Sequence, residues 1–149
     1  MAIKVKQEHL DAIKKHGEAT YPHECCGFLL GEKDGETNVL RVVYRAENEW
    51  TKSDERESQA NRYLITPDQA RRAEMFAREQ KLGVIGYYHS HPDHPAQPSG
   101  FDLDHSCWPT DSYIIVSVEK GKASVLNSFT KPDYEKFEPE EIVLEKDSL

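Results

Sequence analysis

The sequence predicts an α/β chain of the α+β sandwich kind: one mixed, largely antiparallel sheet with helices packed on its faces. Three observations carry that expectation. "ECCGFLLG" (24–31) and "SYIIVSV" (112–118) are short apolar runs without alternation, so each reads as a strand covered on both sides. The turn "EKDGE" separates the first run from "TNVLRVVYRAEN", which makes an antiparallel hairpin. A sharply bounded helix after Thr66 supplies a layer to cover one face.

The elements follow in order. A first helix covers about Gln7 to Glu18, with Leu10, Ile13 and Gly17 on one stripe, and Pro22 closes the region. The strand and its hairpin partner come next. "WTKSDERESQAN", Trp50 to Asn61, is polar and without periodicity, a long loop used for binding or merely solvated. Tyr63–Ile65 can form a short strand. Thr66 then serves as N-cap, Pro67 takes the first helical position and Gln69 completes a capping box. Ala70, Ala73, Phe76 and Ala77 face the core, and Gly83 ends the helix. "VIGYYHSH" and "SYIIVSV" are strands, "GKASVLNSFT" follows a glycine turn, and "KFEPEEIVLE" adds a last edge strand. No repeat divides the chain, so residues 1–149 are expected to form a single domain.

Composition excludes several classes. With 37% hydrophobic and 31% charged residues the chain is of the ordinary globular kind. A formal net charge of -8, with no free-standing Lys/Arg cluster, argues against nucleic acid as a partner. No apolar run reaches the roughly 18 residues of a membrane span, and the charged start lacks a secretory h-region. Three cysteines, with Cys25 and Cys26 adjacent, make a poor disulfide framework. A cytoplasmic, reducing setting is the expectation, with a bridge through Cys107 left open.

The chemistry concentrates in "GYYHSHPDHPAQPSGFDLDHSCW", Gly86 to Trp108. Residues i and i+2 of a strand share a face, so His89 and His91 point the same way and Ser90 points oppositely. Two imidazoles there can hold one transition ion. "PSGFD" offers a third ligand in Asp102, provided the loop doubles back; "SGFD" also reads simply as a helix start. Two histidines, a carboxylate and an open fourth position describe a catalytic zinc site.

The whole string resembles His-Ser-His-x7-Ser-x2-Asp, the motif of the JAMM or MPN-plus (Mov34/PAD-type) zinc metalloproteases, filled here by His89, Ser90, His91, Ser99 and Asp102. "YPHECCGFLLG" is similar to the same family's early glutamate, Cys-Gly pair and Leu-Leu-Gly ending, which assigns Glu24. The likeness spans roughly Leu10 to Val118 and is of the small prokaryotic, single-domain type. It implies an MPN fold related to the cytidine deaminase sandwich. It also implies a Zn2+ ion on His89, His91 and Asp102, with Glu24 as proton carrier and Ser99 as donor to the oxyanion. The implied activity is hydrolysis of an amide or isopeptide bond after the C-terminal tail of a ubiquitin-like modifier or sulfur-carrier protein. The Trp50–Asn61 loop is the candidate flap over that tail. His94 and His105 lie off the motif, and the cysteines form no C-x-x-C pair. Trp50 and Trp108 are either tail contacts or buried. Two other readings compete: a non-catalytic MPN scaffold or binding module, and a nucleobase deaminase, whose P-C-x-x-C element this chain lacks.

Overall fold

The computed structural model describes residues 2–51, 53–54, 56–99, 109–133 and 135–145. Its elements are β1 (Ala2–Val5), α1 (Gln7–Thr20), β2 (Cys26–Asp34), β3 (Thr37–Ala46), α2 (Pro67–Glu79), β4 (Gly83–Pro92), β5 (Ser112–Glu119), β6 (Lys122–Thr130) and β7 (Glu138–Leu144). The sheet is mixed. Its strand order is β1-β3-β2-β4-β5-β6-β7, and β1 also pairs with β7, so the sheet closes on itself. Contacts β1·β3, β1·β7 and β4·β5 are parallel; β2·β3, β2·β4, β5·β6 and β6·β7 are antiparallel.

The apolar runs become the central strands, as their lack of alternation requires. Residues Cys26–Gly31 and Ser112–Val118 are buried throughout. Side chains of alternate parity serve two different layers. Leu29, Tyr88, Ile114, Val116 and Val118 join Ile3, Val5 and Ile13 of the amino-terminal segment. Cys26, Phe28 and Leu30 instead meet Ala73 and Ala77 of α2. The two helices therefore lie on opposite faces of the sheet. Gly17 lets α1 press close, since a Cβ there would stand 3.0 Å from Val118 and 3.3 Å from Ser90.

Five local readings need correction. The segment "AIKV" forms β1, which charge on its flanks had hidden; Ile3 and Val5 alternate inward and are fully buried. The last strand, β7, is no edge, because β1 covers its outer side. Tyr63–Ile65 is not a strand: the Leu64 N–H donates to the Asn48 side chain, and its carbonyl accepts from Glu49 N–H. Gln69 does not complete a capping box. Thr66 Oγ1 accepts from Gln69 N–H at 3.4 Å, but the Gln69 amide turns to clip both backbone groups of Glu47, at 2.6 and 2.9 Å. Nor does Gly83 stop α2. The helix ends at Glu79, and Lys81 takes the left-handed position (φ 60) while Leu82 N–H reaches back to Ala77.

One buried polar pair sits between α1 and the sheet. His16 Nδ1 and the Tyr88 hydroxyl share a 2.7 Å hydrogen bond. Desolvation, and secondarily Arg45, pushes the His16 pKa down to about 4. A base depressed in the folded state loses stability as pH falls from the unfolded value toward the folded one, because the unfolded chain takes the proton first. His16→Gln, which can still meet the Tyr88 hydroxyl, is expected to remove about 1–2 kcal/mol of the destabilisation between pH 6.5 and 4. Urea midpoints of both proteins at pH 7 and 4.5 measure this, and equal pH dependence refutes the assignment.

Candidate metal centre and the loop that frames it

Strand β4 carries His89 and His91 outward on the α2 side of the sheet, the same side as Cys26, which is the cross-strand partner of His89. Both histidines are more than nine-tenths buried. Their Nε2 atoms stand 3.1 Å apart. Two imidazoles on one tetrahedral ion, each at 2.0–2.1 Å, bring their nitrogens to about 3.3 Å. The pair is thus set at the bite such an ion needs. His91 Nδ1 lies 2.9 Å from the Pro95 carbonyl, which only accepts, so Nδ1 carries the proton and Nε2 faces His89 as the basic nitrogen. The Tyr63 ring stacks on His89, with centroids 4.8 Å apart and planes at 26°.

Ser90 points to the opposite face and is fully buried. Its hydroxyl accepts from Cys25 N–H at 2.8 Å, and its own N–H donates to the Cys25 carbonyl. This lashes the start of β2 to the end of β4. Glu24, buried, comes immediately before that lash, two residues before Cys26. It precedes β2, whose pairing with β4 begins at Cys26 and His89. Cys25 and Cys26 are free thiols sealed in the core; burial pushes Cys25 up to about 12 and raises Cys26 further.

Ser99, in the loop that follows β4, is exposed. Asp102 lies outside the described residues, as do the helix start expected after Ser99 and His105, Cys107 and Trp108. Among the described residues no group of three or more His, Cys, Asp or Glu could hold an ion, and of the expected ligands the structure brings together the histidine pair. His94 is exposed; its carbonyl accepts from Ser117 Oγ.

The loop between β3 and α2 has more order than its composition suggests. Asn48 spends its whole side chain on hydrogen bonds. Its Nδ2 donates to the carbonyls of Glu24 (3.1 Å) and Arg62 (2.9 Å), while Oδ1 accepts from the N–H groups of Trp50 (3.1 Å) and Leu64 (3.2 Å). The Gln59 amide donates to the Asn48 and Trp50 carbonyls, and the Gln59 carbonyl accepts from Glu24 N–H at 2.7 Å. Glu24 is therefore held at both its backbone groups by this loop. Sequence reasoning did not single out Asn48 or Tyr63. The only local signal was an asparagine two residues before Trp50, the spacing of an Asx turn. No helix among the described residues is long and apolar enough to cross a membrane.

Comparison with known proteins identifies the family. The chain is 31% identical over 128 residues to a desampylase of Pyrococcus furiosus, covering 85% of this chain and 83% of that protein. A solution structure of a Salinibacter ruber protein is 40% identical, with TM-score 0.74, covering 98% of this chain and 92% of the other. A JAB1/MPN domain protein from Archaeoglobus fulgidus shares the fold at 20% identity and TM-score 0.54, covering 96% and 99% of the two chains. The model for prokaryotic homologues of the JAB domain matches residues 6–130, and this chain belongs to that JAMM/MPN family as a small prokaryotic-type member.

Proposed function

We propose that this protein is a zinc metallopeptidase that hydrolyses the amide or isopeptide bond after the C-terminal tail of a ubiquitin-like or sulfur-carrier protein. The observation that carries the proposal is the 3.1 Å separation of His89 Nε2 and His91 Nε2, with the His91 tautomer fixed from behind by Pro95. His89, His91 and Asp102 would hold the ion. Bound zinc would supply Lewis-acid activation of water and of the scissile carbonyl. Glu24, buried and held by the loop at both backbone groups, would accept the proton of the attacking water and deliver it to the leaving amine. The Ser99 hydroxyl would donate to the developing oxyanion, and its exposure leaves it within reach of a bound tail. The likeness to desampylases supports the choice of substrate, and the two free thiols beneath the site suit a cytoplasmic, reducing setting.

The test uses a ubiquitin-like domain whose Gly-Gly tail is extended by a reporter peptide, joined through an α-amine, a lysine side chain or a cysteine residue. Cleavage after the tail is expected, lost on chelation and restored by zinc. Unchanged cleavage by fully demetallated protein removes the zinc mechanism. Absence of both cleavage and stoichiometric zinc points to the scaffold reading instead.

A further inference from the structure

We infer that Asn48 is a positioning residue that sets Glu24 and His89 in their working places at once. The inference rests on the proposed peptidase reading for Glu24 and goes beyond it in assigning a part to the loop. Asn48 lies in an irregular segment where no ladder fixes the chain, yet all four of its side-chain hydrogen-bonding positions are used. Two of these, on Arg62 O and Leu64 N, bracket Tyr63, whose ring lies on the His89 imidazole. A third holds the carbonyl of Glu24, and the Asn48 carbonyl in turn anchors Gln59, whose own carbonyl takes the Glu24 N–H. A single amide thus joins the backbone of the proton carrier to the residue that orients a metal-facing imidazole. Asn48 fastens the base of the loop between β3 and α2 to the segment that precedes β2.

Asn48→Asp tests this with little change of shape. The carboxylate loses both donors and turns an oxygen toward two carbonyls. Asn48→Ala removes all four bonds without adding charge. Zinc affinity, read by competition with a chromophoric chelator, is expected to fall about 10–100-fold in both, the usual effect of losing a group that orients a ligand. With zinc saturating, kcat is expected to fall at least 10-fold while KM changes less than threefold. Zinc affinity and kcat within twofold of wild type in both variants would overturn the inference. So would losses that merely follow the folded fraction at the assay temperature, monitored by circular dichroism. A wild-type protein that binds zinc stoichiometrically but cleaves none of the fusions sinks the peptidase reading alone, because the zinc-affinity comparison still reports on Asn48.

Discussion

Glu24→Gln is expected to leave the fold and zinc content intact while cutting turnover of a ubiquitin-like fusion about 10²–10⁴-fold. Glutamine has the same length and volume, and both backbone groups of Glu24 are held by the loop, by Gln59 O on its N–H and Asn48 Nδ2 on its carbonyl. Neither bond depends on the side chain. What disappears is the ability to take a proton from water and return it to an amine. An amine leaves poorly unless protonated, so both halves of the reaction suffer. Zinc stoichiometry should match wild type, since the ligands assigned are His89, His91 and Asp102. A Glu24→Gln protein that retains wild-type kcat would falsify the proton-carrier role, and one that loses its zinc would move Glu24 into the metal's own shell.

The histidine pair was legible because strand geometry is simple. A strand alternates sides, so His89 and His91 had to share a face, and the structure puts their nitrogens at chelating distance. The apolar runs of β2 and β5 were legible for a related reason: two layers cover them, one led by Ile13 of α1 and one by Ala73 and Ala77 of α2. Closure of the sheet was not legible. It depends on β1 pairing with β7 across almost the whole chain, and four residues carry too little periodicity to announce a strand. The frame of the site was hidden for another reason. Asn48, Gln59 and Gln69 act through side chain-to-backbone bonds that follow no period, and polar residues in a polar loop look like solvated ones. Gln69 shows how tertiary structure overrides a local rule: it had the right position for a capping box and was recruited to hold Glu47 instead.

The metal claim faces its hardest test in His91→Ala. Purified wild-type protein is expected to carry one zinc per chain, and its melting temperature to drop on chelation, since an ion that binds only the folded state stabilises it by an amount that grows with the logarithm of its free concentration over its dissociation constant. Removing His91 deletes one of the three proposed protein ligands. Orienting groups alone are worth 10–100-fold in affinity, so loss of a ligand should exceed about 100-fold and leave the variant without zinc after dialysis. Its melting temperature should then be indifferent to chelator, and its cleavage activity undetectable. His94→Ala supplies the control. His94 is three residues away and exposed, and the contacts of its backbone with Ser117 and His91 survive the substitution. It should keep zinc, the chelator response and activity. If His91→Ala retains stoichiometric zinc while His94→Ala loses it, the ion sits on the loop and not on the strand. The 3.1 Å histidine pair would then be a packing contact, and the proposed chemistry would have no centre.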